Sequence, residues 1–160
     1  MILCLVGTNP YDFTRLVKAV DQLASKIDMP VKVQLGNTKY KPQYAEYFTF
    51  KAKSEVEQLL KEADLVISQG GYGSMTDAIL LRKKIIAIPR QPKFSESQDN
   101  QEELVRYYES KGYIRACYEI EDLEKIVFQV LEEDIENFNE YEMETNIKVS
   151  KLIKDYINEL

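Results

Sequence analysis

The chain of 160 residues contains no histidine. Without histidine it cannot form a Ser–His or Cys–His nucleophilic pair, and it lacks the usual zinc ligand. It also has no Asp-x-Asp pair of the kind that holds a metal ion against a diphosphate. A general base must therefore be a carboxylate, a tyrosine or a lysine, or must belong to another chain. We expect no metal and no other cofactor.

Long apolar runs are also missing, since none approaches the ~18 residues that a membrane-spanning helix needs. The opening segment MILCLVGTNP is too short for a signal peptide and lacks a basic start. The two cysteines, Cys4 and Cys117, lie in apolar runs, where we expect reduced core residues without a disulfide. These features predict a cytoplasmic protein.

The composition is that of one soluble globular domain, with 44% hydrophobic and 30% charged residues. The net charge is −6, and residues 121–160 carry twelve acidic side chains against four lysines. Their net charge of −8 leaves the first 120 residues near +2, so the acidity belongs to the tail. We expect no nucleic acid among the partners.

Short apolar runs alternate along the chain with segments of helical periodicity. The strand-like runs are, in order, ILCLVG, VKVQLG, EYFTF, LVI, KIIAIP and YIRACYEI. The predicted helices are Phe13 to Ile27, a segment capped by Ser54, a segment after three glycines, Leu104 to Tyr108, and Leu123 to Leu131. Such units predict an α/β fold with an open, mostly parallel, Rossmann-like sheet and helices on both faces. We assign residues 1–135 to this domain and residues 136–160 to a C-terminal amphipathic helix.

The segment DLVISQGGYGSMTDAI places glycines between a buried strand and a helix. Gly70, Gly71 and Gly73 can take positive φ and leave the backbone bare, and Ser74 is placed to cap the helix that follows. Backbone N–H groups that converge on a helix N-terminus bind anions, most often phosphate. A tight strand-to-helix connection without a ligand is the alternative, which stays open.

Three polar loops follow predicted strands, namely GTNPYD, SQGGYGS and PRQPKFSESQDNQ. Ligands of open α/β sheets bind outside the carboxyl ends of the strands, near a reversal of strand order. The clustering of small, hydroxyl, amide and charged groups in these loops predicts a binding site at that edge.

Two other nucleotide-binding motifs do not fit the glycine loop. A dinucleotide fingerprint that starts at Gly71 needs glycine where Thr76 stands, and this loop follows a late strand instead of the first. The lysine of a P-loop is also missing. Nicotinamide chemistry and P-loop hydrolysis are therefore disfavoured.

Three segments, VGTNPYDFTRLVKAVDQL, ADLVISQGGYGSMTDAILLRKKIIAIPR and SQDNQEELVRYYESKGYI, resemble in order and spacing the glycosyltransferase family 28 C-terminal domain. The sequence is most similar to stand-alone members: the catalytic subunit of bacterial two-component capsule and exopolysaccharide transferases, and the cytosolic subunit of the eukaryotic dolichol-linked N-acetylglucosamine transferase. The resemblance covers residues 1 to about 130. It implies the donor half of a GT-B enzyme, which passes the sugar of a UDP-sugar, with inversion, to a lipid-linked acceptor held by a second domain or chain.

The resemblance also implies a set of binding residues. In it, Gly71, Gly73 and Ser74 contact the donor diphosphate, and Asp77 binds the ribose hydroxyls. Gln101, with Asn100 beside it, reads the sugar hydroxyls, and the first glycine loop lies near the phosphates. The whole candidate set is Gly7, Thr8, Asn9, Gln69, Gly70, Gly71, Gly73, Ser74, Asp77, Asn100 and Gln101.

The residues by themselves leave alternatives open. Asp77 could simply complement the dipole of its helix, and Asn100 and Gln101 could belong to a polar loop that needs no ligand. The sequence also departs from the family pattern, since Gln69 stands where a histidine is common and Tyr72 where alanine is common. The identity of the sugar therefore cannot be read from the sequence.

No catalytic base stands out. Asp12, Glu96 and Asp99 are candidates by residue type alone, and the resemblance places the base on a partner chain, so we expect little activity from the isolated chain. A subunit that binds a nucleotide sugar without turnover of its own is the alternative.

The tail carries an apolar stripe at helical spacing, formed by Val149, Leu152, Ile153, Tyr156, Ile157 and Leu160. The resemblance suggests that this stripe contacts a membrane-anchored, acceptor-binding subunit, which would hold the chain at the inner face of the membrane. A helix that packs on its own core, or on a second copy in a homodimer, is the alternative.

Overall fold

A computed structural model describes residues 1–141 and Ile157 of the chain. Within these residues a single sheet has six strands: β1 Ile2–Leu5, β2 Val31–Gln34, β3 Glu46–Phe48, β4 Leu65–Gln69, β5 Lys84–Ile88 and β6 Arg115–Ala116. The α-helices are α1 Thr14–Ala24, α2 Lys53–Glu62, α3 Tyr72–Leu80, α4 Glu102–Ser110 and α5 Leu123–Glu132. The predicted α/β fold is confirmed, and every strand pair is parallel.

The sheet has the order β3-β2-β1-β4-β5-β6. The chain moves outward from β1 to β3, returns to the centre at β4, and then moves outward on the other side. Leu5, the last residue of β1, is in register with Gln34 of β2 and with Ser68 of β4. The strand order therefore reverses between β1 and β4, where open α/β sheets form their ligand crevice.

Both faces of the sheet are covered by helices, as predicted. Ile2 and Cys4 point to the face that carries α1 and α5, whereas Leu3 and Leu5 point to the face that carries α2, α3 and α4. All four residues of β1 are buried. Burial on both sides explains why this strand is a continuous apolar run instead of an alternating one.

Several local predictions need correction. Ser54 does not cap α2, because the helix begins at Lys53 and its N-cap residue is Ala52, whose N–H donates to the Glu55 carboxylate at 3.0 Å. The segment YIRACYEI contributes only the two residues of β6. The prediction for the cysteines is confirmed, since Cys4 and Cys117 are buried and free.

The chain after α5 returns to the domain as far as the structure describes it. Phe138 is buried, and Arg82 donates to its carbonyl oxygen at 3.2 Å. Tyr141 packs against the rings of Tyr108 and Tyr113. Apart from Ile157, which is helical and exposed, the predicted apolar stripe lies outside the described residues. In the part of the chain that the structure describes, no helix is both long and apolar enough to cross a membrane.

Candidate functional site

The three polar loops meet at the carboxyl edge of the sheet. Because all strands are parallel, the loops after β1, β4 and β5 emerge on the same side. The loop after β4 is tied to β5, since the Gly70 N–H donates to the Ile88 carbonyl at 3.0 Å. The loops after β1 and β4 border the crevice at the reversal of strand order.

The glycine turn after β4 differs from the prediction. Gly71 is the N-cap of α3 with φ −85° and ψ 142°, and Gly70 and Gly73 have no positive φ either. Close packing demands glycine at Gly70, because a Cβ there would lie 2.5 Å from Cγ2 of Val105. The strand thus enters the helix directly, without a left-handed residue between them.

Ser74 does not cap α3, which corrects a second prediction. Because α3 begins at Tyr72, Ser74 already belongs to its first turn, and its side chain makes no capping hydrogen bond. The first intrahelical bond runs from Met75 N–H to the Gly71 carbonyl at 3.3 Å. The N–H groups of Tyr72, Gly73 and Ser74 therefore have no acceptor within the helix. A Cβ on Gly73 would meet nothing within 4 Å, so the first turn of α3 is open on that side.

Gly7 is where the loop after β1 approaches β4 most closely. It has φ +76°, and its N–H donates to Oε1 of the Gln34 side chain at 3.0 Å. A Cβ at this position would lie only 2.0 Å from Nε2 of Gln69. Glycine is required here for both conformation and space.

Arg90, at the end of β5, is fully buried and was not among the predicted site residues. Its Nε donates to Oε1 of Gln69 at 2.6 Å, and its Nη atoms donate to the carbonyls of Val6 at 2.8 Å, Glu96 at 3.0 Å and Tyr11 at 3.1 Å. Burial lowers the pKa of Arg90 to about 10, so it stays charged at neutral pH. One guanidinium thus fixes the loops after β1, β4 and β5.

The hydrogen bond from Arg90 also orients the amide of Gln69. With Oε1 held by the guanidinium, Nε2 is directed toward Gly7 and Gly71. Gln69 lines the cleft, and no hydrogen bond from Nε2 to a described residue is seen. Gln69 therefore presents an oriented pair of N–H donors to the crevice.

Gln101 is held in a similar way and Asn100 is not. Oε1 of Gln101 accepts the Arg90 N–H at 3.0 Å, which leaves Nε2 about 3.7 Å from the place of a Cβ on Gly71. Asn100 is exposed, and its Oδ1 accepts the Glu102 N–H at 3.0 Å, at the start of α4. The structure brings Gln101 to the glycine turn and gives Asn100 a helix-capping bond.

A cleft of about 430 Å³ opens above the reversal of strand order. Six of the predicted residues line it, namely Gly7, Thr8, Gln69, Gly73, Ser74 and Asp77. Gln34, Lys51 and Lys53 also line it and were missed by the sequence reasoning. The two lysines precede and begin α2, and no local motif marks them as partners of a loop that lies about 20 residues further on.

Two further hollows adjoin the cleft residues. Asp77 and Lys53 also line an apolar cavity of about 240 Å³, which is walled by Val56, Leu60, Leu80 and Leu81. On the other side Asn9, Asp99 and Gln101 line a hollow of about 360 Å³. Oδ1 of Asn9 accepts the Tyr11 N–H at 2.9 Å and shapes this loop.

The three candidate bases have different surroundings. Glu96 is buried and binds Arg15 with both oxygens, at 2.7 Å and 3.0 Å. Burial tends to raise the pKa of Asp12, but hydrogen bonds from Thr14 and from the Lys39 N–H outweigh it and hold the pKa below its usual range. Both side chains are therefore occupied in holding the loops. Asp99 is exposed and lines the hollow beside Gln101.

Residues 1–157 match the glycosyltransferase family 28 C-terminal domain. The chain belongs to this family. The match extends beyond residue 130, where the resemblance read from the sequence ended. No protein of curated function shows significant sequence similarity to the chain.

Solved glycosyltransferases share the fold of this family 28 domain. CalG4, the calicheamicin glycosyltransferase, has a TM-score of 0.62 at 14% identity, over 85% of this chain and 35% of its own. MurG of Acinetobacter baumannii has a TM-score of 0.57 at 13% identity, over 84% of this chain and 42% of its own. VinC, solved with dTDP, has a TM-score of 0.57 at 14% identity, over 85% of this chain and 34% of its own. The chain thus has the fold of one GT-B half and spans well under half the length of these enzymes.

Proposed function

We propose that the chain is the donor-binding, catalytic subunit of an inverting glycosyltransferase that moves a hexose from a UDP-sugar to a lipid-linked acceptor in capsular or exopolysaccharide assembly. One observation carries the proposal. The unpaired N–H groups of α3, two lysines and the carboxylate of Asp77 surround a single cleft at the reversal of strand order. Donors and cations suit a diphosphate, and a carboxylate suits vicinal hydroxyls.

The diphosphate occupies the part of the cleft between Gly7 and the start of α3. The N–H groups of Gly73 and Ser74 donate to phosphate oxygens, and the helix dipole favours their negative charge. Nε2 of Gln69 adds a neutral donor that Arg90 has already oriented. Lys51 and Lys53 supply positive charge from the opposite wall, so the site needs no metal ion.

The nucleoside occupies the end of the cleft that Asp77 shares with the apolar cavity. Asp77 accepts hydrogen bonds from the ribose hydroxyls, and the cavity beside it offers aliphatic walls to a base. The dTDP bound to VinC supports a pyrimidine nucleoside diphosphate here, although that enzyme shares only the fold with this chain.

The sugar lies toward Gln101 and the hollow of Asn9 and Asp99. The acceptor hydroxyl oxygen attacks the anomeric carbon on the face opposite to the diphosphate, and the bond from that carbon to the diphosphate oxygen breaks. UDP leaves with the electron pair, and the donors at α3 stabilise its charge. Since Asp12 and Glu96 are occupied, the base that takes the acceptor proton is either Asp99, which lines this hollow, or a residue of a partner chain.

The hydrogen bonds that already engage Asp12 and Glu96 also support a second candidate function. If Asp99 does not take the acceptor proton, the chain could bind the nucleotide sugar and present it, while turnover belongs to the partner. Transfer assays with Asp99→Asn separate the two functions: loss of transfer with parent-like UDP binding supports catalysis by this chain, and parent-like transfer supports presentation alone.

Thermal unfolding in the presence of nucleotides tests the proposal. A ligand that binds only the folded chain raises the midpoint of unfolding by mass action. We expect UDP to raise the midpoint more than ADP or NAD, and UMP to act between UDP and uridine. Equal shifts for all nucleotides, or none, would contradict the proposed donor site.

The acceptor-binding partner is proposed to contact the tail and to hold the chain at the membrane. Deletion of residues 142–160 retains Tyr141, which packs on the domain. We expect the shortened chain to bind UDP like the parent but to lose recovery with the partner subunit from detergent-solubilised membranes, where no bilayer is present, and to lose transfer activity. If the shortened chain retained recovery and transfer at parent levels, the tail would not be the contact with the partner.

A further inference from the structure

The segment around β3 differs in charge and composition from the rest of the chain. Residues 39–53, KYKPQYAEYFTFKAK, contain four lysines, five aromatic residues, one glutamate and no arginine, whereas the whole chain has a net charge of −6. This segment includes the crossover from β2, the edge strand β3 and the loop that leads to α2. We call its exposed part the lysine–aromatic edge, which consists of Lys39, Lys41, Tyr44, Tyr47, Phe50 and Lys51.

The aromatic rings of this edge are exposed to solvent instead of being buried in the core. Tyr44 is 64% exposed, Tyr47 46% and Phe50 51%. They are three of the nine large hydrophobic side chains that are exposed among the described residues, and they fall within seven positions. Single exposed apolar residues are normal on a protein surface, but a cluster indicates an interaction site.

The crossover that carries these residues is rigidly attached to the domain. The buried carboxylate of Asp21 accepts the N–H groups of Gln43 at 2.9 Å, Tyr44 at 2.8 Å and Ala45 at 3.0 Å, and the Tyr40 hydroxyl at 2.8 Å. The exposure of Tyr44 is therefore a property of an ordered loop. A surface that is already ordered loses little entropy on binding.

The positive charges of the edge are partly compensated. The only glutamate of the segment, Glu46, lies 3.4 Å from Lys32, which is outside it. Lys51 lies 3.4 Å from Glu55, and the charge of Lys39 helps to lower the pKa of Asp12. Neither Lys39 nor Lys41 makes a close ion pair with any residue that the structure describes. The edge thus presents a net positive surface on a chain that is acidic as a whole.

We propose that the lysine–aromatic edge lies on an anionic phospholipid surface. Aromatic rings and lysines together are the composition of side chains that occupy the boundary between lipid and water. Lysines near an anionic bilayer each strengthen binding by roughly five-fold. The positive charge of the edge complements such a surface, and the acidic tail does not.

Two other occupants fit less well. Cores of protein interfaces favour arginine and are depleted in lysine, and the segment has lysine only. A second copy paired along β3 would use a strand of only three residues, and lysines on a short edge strand oppose such pairing. Protection against pairing does not require three exposed aromatic rings, so it does not explain the edge.

The edge adjoins the donor cleft. Lys51 belongs to both, and Lys53, two residues later, lines the cleft. A bilayer under the edge therefore brings the donor site close to the level of lipid headgroups, where a lipid-linked acceptor presents its hydroxyl. This consequence rests on the proposed function, whereas the binding to lipid does not.

Sedimentation of the full chain with vesicles tests the proposal. Vesicles of phosphatidylcholine alone are compared with vesicles that also contain phosphatidylglycerol, at low and at high salt. We expect the chain to sediment with the anionic vesicles at low salt and much less with the neutral vesicles or at high salt. A parent chain that stays in solution with the anionic vesicles would overturn the proposal.

Variants locate the contact. Lys39→Gln with Lys41→Gln should weaken partitioning about 25-fold, since each lysine contributes roughly five-fold. Tyr47→Ser with Phe50→Ser should also release the chain. The matched control is Lys125→Gln with Phe128→Ser on α5, which changes an exposed lysine and an exposed aromatic ring elsewhere and should bind like the parent. Equal losses in the control would overturn the proposal.

Two further readouts separate this proposal from others. The UDP-induced shift of the unfolding midpoint should be unchanged in the edge variants, which shows that they are folded. In sedimentation equilibrium we expect the parent chain to form no dimer through the edge. A dimer that the edge variants dissociate would show that the edge binds a second copy of the chain, and it would refute the lipid contact. If vesicles bind but UDP gives no shift, the lipid contact stands and the proposed donor site fails.

Discussion

Nε of the buried Arg90 donates a hydrogen bond of 2.6 Å to Oε1 of Gln69, and this bond directs the Gln69 amide N–H groups into the cleft. The other guanidinium donors hold main-chain carbonyls of the loops after β1 and β5. The geometry of the candidate site therefore depends on one buried cation that lies beneath it.

Arg90→Met should destabilise the fold strongly. The substitution keeps an apolar stem but leaves several buried carbonyls and Oε1 of Gln69 without a donor, which we expect to lower the free energy of unfolding by about 3–5 kcal/mol. Urea denaturation measures this loss. Arg106→Met is the control, because Arg106 is exposed, pairs with Glu102 in the same helix and lies over the ring of Tyr118, and loss of these surface contacts should change stability little. Similar losses in both variants would refute the role of Arg90.

Gln69→Glu should separate binding from folding. A glutamate can still accept the Arg90 Nε–H, so the unfolding midpoint should stay near that of the parent. The second carboxylate oxygen replaces an N–H donor with a negative charge facing the proposed diphosphate, and UDP affinity should fall by about ten-fold or more. Calorimetry with UDP and with uridine measures the difference. An equal loss for uridine would show that the diphosphate is not at Gln69.

Gly73→Ala should stabilise the folded chain but weaken its binding of UDP. A Cβ at Gly73 meets nothing within 4 Å, and alanine within a helix is favoured over glycine by about 0.5–1 kcal/mol. Gly73 lines the cleft, so the same methyl group reduces the space for the proposed diphosphate, and UDP should bind about ten-fold more weakly, or ~1.4 kcal/mol. Gly70→Ala is the contrast, since its Cβ lies 2.5 Å from Val105 and should destabilise the fold. Unchanged UDP binding by Gly73→Ala would place the diphosphate elsewhere.

Asp77→Ala should weaken UDP binding by roughly 1–3 kcal/mol, because charge-assisted hydrogen bonds to the ribose are lost. Gln101→Ala should reduce sugar transfer more than UDP binding, because its amide lies toward the sugar hollow. Calorimetry with UDP alone and a transfer assay on membranes measure the contrast. Glu103→Ala on α4 is the control for removal of an exposed carboxylate. Parent-like UDP binding by the Asp77 variant would contradict the placement of the ribose.

Asp21 should make stability depend on pH in the acid range. Burial tends to raise the pKa of this carboxyl, but hydrogen bonds from the N–H groups of Gln43, Ala45 and Tyr44 and from the Tyr40 hydroxyl outweigh it and hold the pKa below its usual range. Because the pKa is lower in the folded state, the stability from Asp21 is complete above the unfolded pKa of about 4 and is lost as the pH falls through the folded value.

Asp21→Asn tests this dependence. The variant should lose about 2–3 kcal/mol at neutral pH, since an amide group faces N–H donors that need an acceptor. Its stability should also fall less steeply than that of the parent below about pH 4. Urea denaturation across this pH range measures both effects. The exposed Asp28 gives the control Asp28→Asn, and an equal acid response in all three proteins would show that Asp21 does not carry it.

The period of the apolar pattern was enough to determine the architecture. Runs such as ILCL are apolar at every position, which indicates strands buried on both faces, and α1, α4 and α5 follow from spacing of three and four residues. Alternating strands and helices then restrict the sheet to parallel connections, which place the loops after β1, β4 and β5 at one edge. These features depend on neighbours along the chain, so the sequence alone determined them.

Only the tertiary structure decided which side chains lie together at the carboxyl edge of the sheet. Arg90 is a lone cation after an apolar strand, and nothing local shows that carbonyls from the loops after β1 and β5 and the side chain of Gln69 surround it. Lys51 and Lys53 reach the cleft because β3 is the outer strand beside β2, which follows from the strand order and not from a motif. Ser74 had the residue type of a helix cap, but α3 begins two residues before it because β4 leads directly into the helix. Periodicity records which face of an element is buried, whereas such contacts depend on how distant elements are placed in space.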